Sequence, residues 1–205
     1  MSTHPSFDPA RTAVLSMDYQ SGIVSIYAGG DKEGLLARAA GVLKRARDGG
    51  MTVIHVRVGF RPGLPEVSTR NQLFGAIKSS AQHQRLFAGD TGEIHPAVAP
   101  EGDDIVVTKH RVSAFAGTDL EMILRAKEID TLVLFGIATS GVVLSTLLHA
   151  VDADYRLFVI KDCCADLDQE LHACLVEKFF PGRAAVLSAD EFLDSLGSAS
   201  TGSEE

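Results

Sequence analysis

The sequence lacks the long apolar stretch and the basic leader that direct a chain into or across a membrane. No apolar run approaches the roughly 20 residues that a membrane-spanning helix needs. The N-terminal segment MSTHPSFDPART has no basic part followed by an apolar part, as a secretory signal peptide would have. We therefore predict a cytoplasmic protein that does not act at a membrane.

Cysteine is scarce, aromatic residues are few and tryptophan is absent. The three cysteines, Cys163, Cys164 and Cys174, are odd in number and two are adjacent, which does not describe a disulfide framework. Hydrophobic residues still make up 45% of the 205 residues, which is ordinary for a globular protein. We predict one domain over residues 1–196 and a disordered tail over residues 197–205, GSASTGSEE.

The sequence also lacks blocks of basic charge and the common cofactor motifs. The formal net charge is −8 with both signs interspersed, which disfavours nucleic acid and anionic membranes as partners. No G-x-G-x-x-G follows the first predicted strand, and residues 136–141 lack the Lys-Ser/Thr of a phosphate-binding loop. H-E-x-x-H and C-x-x-C are absent, and His55 has no acidic residue two positions away. We predict no cofactor and no metal, and a small-molecule substrate.

The sequence does contain short apolar strands alternating with helical patterns. Strands are predicted at residues 12–17, 51–58, 104–108, 131–135, 155–160 and 184–188. Helices are predicted at residues 34–48, 119–126, 142–150, 168–180 and 189–196. This alternation predicts an α/β fold with a doubly wound parallel sheet between two layers of helices.

Residues 60–104 are the least regular part of the sequence. Pro62, Gly63 and Pro65 interrupt regular structure, and only short helical pieces are indicated around residues 70–74 and 79–86. Loops of this length in a compact domain are usually functional or cover a site. We expect this segment to form a lid that determines substrate specificity.

The chain is organised around residues 130–150, DTLVLFGIATSGVVLSTLLHA. This segment predicts a strand, a tight turn from Gly136 to Gly141 and then a helix. In an open α/β sheet, such a turn lies at the carboxyl ends of the strands, where ligands bind and where helix N-terminal amides suit an oxyanion or a carboxylate. The first predicted helical residue is Val142, whose side chain is not a nucleophile.

Two charged residues follow other predicted strands. Asp18 ends the first strand and Lys109 ends the third, so both should converge on the cleft beside the turn. A buried carboxylate beside an ammonium group has coupled protonation, and such a pair can serve as an acid or a base. A purely structural ion pair is the alternative interpretation.

Three ordered motifs resemble those of the isochorismatase-like hydrolases, also called cysteine hydrolases, which include nicotinamidases and other small amidases. The motifs are Met17-Asp18-Tyr19-Gln20 for the D-x-Q of the family, Lys109 with Ser113-Ala114-Phe115 for its lysine segment, and Gly136-Ile137-Ala138-Thr139 through Thr146 and Ala150 for its G-x-x-T-x-x-C-V-x-x-T segment. The resemblance covers residues 12–192. It implies a six-stranded parallel sheet and catalytic roles for Asp18 and Lys109.

The same resemblance implies further details of the site and the assembly. It implies a non-proline cis peptide, expected at Ile137-Ala138, that aims backbone amides at a substrate oxygen. Substrate contacts are expected from Gln20, Phe115, Ile137, Ala138, Thr139 and Gly141. The family also forms oligomers, so we predict a homodimer or a higher homo-oligomer.

The sequence departs from this family at the nucleophile. Val142 stands where the amidases of the family carry the nucleophilic cysteine, and an isopropyl group cannot attack a carbonyl. The metal-binding Asp-x-His segment of nicotinamidases has no counterpart, because the strand reads His55-Val56-Arg57-Val58. True isochorismatases in the family also lack the cysteine and hydrolyse a vinyl ether, which requires a proton donor and a positioned water. The leading hypothesis is hydrolysis of a small metabolite without a covalent intermediate, with Asp18 as the acid and Lys109 as its electrostatic partner.

Two other hypotheses remain open from the sequence. One is a catalytically silent member of the family that binds a small carboxylate or amide. The other is an amidase with a relocated nucleophile, for which the candidates are Ser140, Cys163 and Cys164. The candidates for binding a substrate carboxylate are Arg57, Arg61 and Arg70.

Overall fold

A six-stranded parallel sheet forms the centre of the protein in the computed structural model, which describes residues 6–196. The strands are β1 Thr12–Met17, β2 Thr52–Val58, β3 Ile105–Lys109, β4 Thr131–Gly136, β5 Arg156–Ile160 and β6 Ala185–Leu187. Their order is β3-β2-β1-β4-β5-β6, and every pairing is parallel. The predicted doubly wound sheet is confirmed, and its topological switch lies between β1 and β4.

The two central strands are buried on both faces. All six residues of β1 and all six of β4 are buried, as expected for strands covered by helices on either side. Their register pairs Thr12 with Thr131 and Met17 with Gly136, so the two strands end together. The residues that follow them, Asp18 and Ile137, therefore lie side by side at the carboxyl edge.

The helices differ from the predicted ones mainly at their ends. They are α1 Ser21–Tyr27, α2 Lys32–Asp48, α3 Gln72–Ser79, α4 Ala81–Arg85, α5 Gly89–Gly92, α6 Leu120–Ala126, α7 Leu144–Asp152, α8 Gln169–Cys174 and α9 Ala189–Ser195. Helices α1 and α5 were not predicted. The helix predicted from Val142 begins at Leu144, because Thr139–Val143 forms a π-helical turn before it. A second π-helical turn, Leu175–Phe179, continues α8.

Gly136 allows β4 to end close against β1. A Cβ atom at this position would lie 2.5 Å from the carbonyl oxygen of Met17, which no side chain can tolerate without a shift of the backbone. The next residue, Ile137, donates its N–H to the same Met17 oxygen at 3.1 Å. These contacts hold the turn after β4 beside the end of β1.

The lid predicted from the irregular sequence contains three short helices, α3, α4 and α5. It has a small apolar cluster of its own, in which Leu64, Val67 and Phe74 are buried. Among the residues that the structure describes, no helix is long and apolar enough to cross a membrane. The tail predicted for residues 197–205 and the first five residues of the predicted domain lie outside the described part of the chain.

Candidate active site

A cavity of about 400 Å³ lies at the carboxyl ends of the central strands. Six of the predicted site residues line it: Asp18, Lys109, Ile137, Ala138, Gly141 and Val142. They come from the ends of β1, β3 and β4 and from the π-helical turn. The convergence predicted from strand order therefore places the charged pair beside Val142.

Asp18 and Lys109 form a buried ion pair at this cavity. The Nζ atom of Lys109 lies 2.8 Å from Oδ2 of Asp18, and both side chains are almost completely buried. Lys109 also donates a hydrogen bond to the carbonyl oxygen of Arg111 at 3.1 Å. Oδ1 of Asp18 has no hydrogen-bond partner among the described residues. This oxygen is a buried acceptor that the described residues leave unpaired.

Burial controls the protonation of Asp18. It raises the pKa of the carboxyl group, while the charge and hydrogen bond of Lys109 lower it by less. The net pKa is raised, so the group keeps its proton to a higher pH than an ordinary aspartic acid. Asp18 also has a φ of 59°, a left-handed conformation uncommon outside glycine and often found at functional sites.

The turn after β4 contains the expected cis peptide at Ile137-Ala138. Its N–H groups are largely bonded within the protein. Thr139 donates to the carbonyl oxygen of Ala165 at 3.0 Å, and Gly141 donates to that of Ala138 at 3.1 Å. Val142 follows with 2% of its surface exposed. The turn is thus a fixed wall of the cavity.

Asp166, which the sequence analysis did not single out, holds this turn from behind. Its Oδ2 accepts the N–H of Ser140 at 2.7 Å and the hydroxyl of Ser140 at 2.6 Å. Asp166 is 5% exposed and follows the residue that bridges to Ile137. An acidic residue beyond the neighbouring strand β5 was the only sequence signal for this contact.

The relocated nucleophiles that the sequence left open do not reach the cavity. The Ser140 hydroxyl is bonded to Asp166, and Cys163 is fully buried, with the pKa of its thiol raised by that burial and by Asp162. Burial also raises the pKa of Cys164 to about 12. Cys164 lines a separate cavity of about 410 Å³. Within the described chain, the cavity that holds Asp18 has no serine, threonine or cysteine in its lining.

Three residues predicted as substrate contacts, Gln20, Phe115 and Thr139, lie outside the cavity lining. Gln20 is buried and joins the lid to the sheet, since its amide group bonds both the N–H and the carbonyl of Val58 and donates to the carbonyl of Gly92 at 2.7 Å. The ring of Phe115 stacks on that of His149, with centroids 4.4 Å apart. The hydroxyl of Thr139 lies 2.8 Å from Nδ1 of His172.

The three candidate arginines also lie elsewhere. Arg57 pairs with Glu93, with a separation of 2.6 Å between Nη1 and Oε2. Arg61 and Arg70 are exposed, and none of the three lines the cavity. The carboxylate-binding role considered for them has no support in the structure.

Sequence reasoning missed much of the cavity wall that covers the charged pair. The wall is formed by side chains of α1, α3 and the segment from α4 to Phe87, among them Ile23, Ile26, Leu73, Ile77, Leu86 and Phe87. Tyr27 and His83 add the other polar side chains. The spacing of Ile23, Ile26 and Tyr27 at i, i+3 and i+4 was a helical signal that would have indicated α1.

No group of three or more His, Cys, Asp or Glu side chains in residues 6–196 is arranged to hold a metal ion. His55 does have an acidic partner, although not one nearby in sequence. Its Nε2 lies 3.0 Å from Oδ2 of Asp104, which also accepts a hydrogen bond from Arg47 at 2.7 Å. This buried cluster joins α2, β2 and the start of β3, apart from the cavity.

Comparison with known proteins agrees with the geometry. The family model of the isochorismatase domain matches residues 12–191. YecD, an isochorismatase family protein of Escherichia coli O157:H7, is 33% identical over 190 residues, which are 90% of this chain and 96% of YecD. The maleamate amidohydrolase of Pseudomonas putida KT2440 is 29% identical over 168 residues, which are 79% of this chain and 76% of that enzyme.

A solved structure gives the same result for the fold. The isochorismatase family protein from Burkholderia thailandensis superposes with a TM-score of 0.80 and is 26% identical, and the match covers 96% of this chain and 100% of that chain. The sheet order, the position of the cavity and the matched length agree with one another. The chain belongs to the isochorismatase family.

Proposed function

We propose that this family hydrolase cleaves a small metabolite by acid-assisted addition of water, without a covalent enzyme intermediate. The observation that carries the proposal is the buried Asp18–Lys109 pair beside Val142, in a cavity whose described lining contains no serine, threonine or cysteine. A nucleophilic mechanism requires such a side chain within reach of the scissile bond. Hydrolysis in this cavity would therefore use a proton donor and a water molecule.

Asp18 is the proposed acid. Its raised pKa lets the carboxyl group carry a proton, and Asp18 belongs to the lining of the cavity. General acid catalysis typically contributes about 10² to 10⁴-fold in rate. Lys109 is the proposed electrostatic partner, which stabilises the carboxylate once the proton has left.

Hydrolysis of a vinyl ether illustrates the proposed reaction and the path of its protons. Asp18 gives its proton to the terminal carbon of the double bond, and water adds to the oxocarbenium carbon that results. The adduct then loses the alcohol and becomes a carbonyl compound, and the proton released by water returns to Asp18. No side chain forms a bond to the substrate in this sequence of steps.

The turn after β4 supplies the proposed binding site for a substrate oxygen. The N–H groups of Thr139, Ser140, Gly141 and Val143 are bonded within the protein. The proposed donors are the amides of Ala138 and Val142, whose residues line the cavity. Fixed donors of this kind stabilise developing negative charge without reorganisation during the reaction.

A second candidate is a family member that binds a small molecule without turning it over. Val142 favours it, because the family's amidases use a cysteine at this position and this chain cannot. The relatives include an enzyme named maleamate amidohydrolase, so small amides belong in any substrate test beside vinyl ethers. The two candidates share one cavity and differ only in turnover.

The proposal is tested by turnover of a mixed panel of vinyl ethers and small amides. We expect the wild type to hydrolyse at least one member and the Asp18→Asn variant to lose at least about 10²-fold in kcat/KM on it. Circular dichroism of the variant checks that it is folded. Wild-type inactivity, with amidase activity appearing only in Val142→Cys, would instead support the silent binding protein.

A further inference from the structure

The wall of the cavity is apolar on nearly every side above the charged pair. Helices α1 and α3 direct Ile23, Ile26, Leu73 and Ile77 into it, and Leu86 and Phe87 close the lid side. Val142 and Ile137 add apolar surface at the floor, beside the catalytic carboxyl group. A substrate seated here has most of its surface against hydrocarbon.

The cation nearest to Asp18 is enclosed by the protein. Lys109 is 2% exposed, and its Nζ atom already contacts Oδ2 of Asp18 at 2.8 Å and the carbonyl oxygen of Arg111 at 3.1 Å. No arginine is present in the lining formed by the described residues. A carboxylate that entered would therefore lose its hydration without reaching Lys109, which lies buried behind Asp18.

Arg111, two residues after Lys109, does not line the cavity. Its guanidinium donates hydrogen bonds to the carbonyl oxygens of His110 and Glu66, and it lies 5.6 Å from the ring centroid of Phe74. It thus fastens the lid to the end of β3 instead of lining the cavity. His83 is the other basic side chain at the cavity, and it is exposed to solvent.

We propose that the cavity selects an uncharged substrate with an apolar body, such as a neutral aryl or branched alkyl amide or ether, and discriminates against substrates that carry a carboxylate. The inference rests on the proposed function for the identity of the site and adds the class of substrate. Apolar contact favours the neutral molecule in proportion to the area that it buries. Removal of a carboxylate from water without a hydrogen-bonded cation disfavours the anion.

Side chains at the mouth of the cavity also favour an apolar substrate. Leu73 is 57% exposed and Ile26 is 41% exposed, and both line the cavity. Exposed apolar side chains that continue into an apolar cavity are typical of a binding site for an apolar molecule. A volume of about 400 Å³ accommodates a substrate of the size of a substituted benzene ring.

Binding of matched pairs of amides tests the proposal independently of turnover. Benzamide is compared with 4-carbamoylbenzoate, and isovaleramide with succinamate, by titration calorimetry on the wild type and on the Asp18→Asn variant. We expect the neutral member of each pair to bind the wild type at least about tenfold more tightly. Equal or tighter binding of the anion, or no binding of either neutral amide at millimolar concentration, would overturn the proposal.

A change at the mouth provides the complementary test. Leu73→Arg adds a cation at an exposed position, where folding should be little affected, and Leu73→Gln is the uncharged control. We expect the arginine variant to improve anion binding at least about tenfold relative to the glutamine variant. An unchanged preference would mean that charge at the cavity does not control selection.

The two levels of inference can fail separately. Preferential binding of neutral amides without any Asp18-dependent turnover would retain the substrate class and reject the catalytic proposal. Turnover that depends on Asp18 but favours carboxylate-bearing substrates would retain the catalytic proposal and reject the substrate class.

Discussion

Two opposing effects act on the pKa of Asp18, and their balance determines whether its carboxyl group carries a proton. Burial raises the pKa of the carboxyl group, and Lys109 lowers it through charge and a hydrogen bond at 2.8 Å. Because the effect of burial is the larger one, the acid form persists above its ordinary range. Lys109 limits that rise and prevents the carboxyl group from becoming too weak an acid to give up its proton.

Replacement of Lys109 by methionine should therefore move the pH profile. In Lys109→Met the lowering influence is lost, so the pKa of Asp18 rises further and the alkaline limb of kcat/KM should move to higher pH. The measurement is kcat/KM against pH on the best substrate of the panel. Lys44→Met, at an exposed lysine paired with Asp48, is the control that should leave the limb in place. A downward shift in Lys109→Met would contradict the role given to Asp18.

The sequence predicted the residues whose position follows from strand order alone. Asp18 and Lys109 end parallel strands, and such ends meet at one edge of a sheet. Gln20 and Thr139 lie within two or three residues of cavity-lining positions, yet both are turned toward the protein interior. Which way a side chain turns depends on partners such as Gly92 and His172, which are distant in the sequence.

The turn between β4 and α7 is rigid because a buried carboxylate supports it. Asp166 accepts both the amide and the hydroxyl of Ser140, and the neighbouring Ala165 accepts the amide of Thr139. These bonds fix the segment that carries the proposed amide donors of the site. A displacement of about 1 Å in such a segment can reduce a rate about 10²-fold.

Asp166→Ala should consequently reduce catalysis more than an ordinary loss of a surface hydrogen bond. We expect kcat to fall at least about tenfold with little change in KM, and the free energy of unfolding to fall by about 1 to 3 kcal/mol because Ser140 loses its acceptor. Kinetics and urea unfolding measure the two effects.

The matched control is Asp168→Ala, two residues away. Asp168 accepts the N–H of Leu171 and caps α8, so its loss should cost about 1 kcal/mol in stability and leave kcat unchanged. Equal kinetic effects of the two variants would show that the contact with Ser140 is only structural.

The strands were predicted more reliably than the helices around the site. Buried parallel strands appear in the sequence as continuous apolar runs, and β1 has the bounds expected for it. The π-helical turn Thr139–Val143 has no simple periodicity, so the predicted helix began too early. Helix α1 was missed because the polar residues after β1 indicated a stop and the helix is only seven residues long.

A second buried polar cluster joins three elements of the molecule away from the cavity. Burial raises the pKa of Asp104, but hydrogen bonds from Arg47, the Glu101 backbone and His55 lower it by more, so the net pKa is lowered. The side chain of Asp104 is only 5% exposed. The cluster therefore links α2 to β2 and β3 through one carboxylate.

Removal of that carboxylate should destabilise the whole fold. Asp104→Ala leaves Arg47 without its buried partner and should lower the free energy of unfolding by about 3 kcal/mol near neutral pH. Since a lowered pKa gives stability that is lost as the pH falls through the folded value, the difference from wild type should shrink below pH 3.8. Urea unfolding at several pH values measures both effects.

The control variant is Asp48→Ala, at an exposed i,i+4 ion pair with Lys44. It should change the free energy of unfolding by less than about 0.5 kcal/mol. An equal loss of stability in both variants would contradict the role of the cluster.

The architecture of the entire molecule was the part most accessible from sequence, because alternation of strands and helices restricts the topology to few choices. The lining of the cavity was the least accessible, since the lid between β2 and β3 has no regular pattern and its side chains act only through distant contacts. A homo-oligomer and a cytoplasmic location stay predictions.

The absence of a covalent intermediate is the claim on which the proposed chemistry depends most. It is tested by intact-protein mass spectrometry of the wild type, quenched in acid during turnover of the best substrate in the panel. We expect only the unmodified mass, together with Asp18-dependent product formation in the same samples. A protein mass increased by part of the substrate would reveal a nucleophile and contradict hydrolysis by direct addition of water.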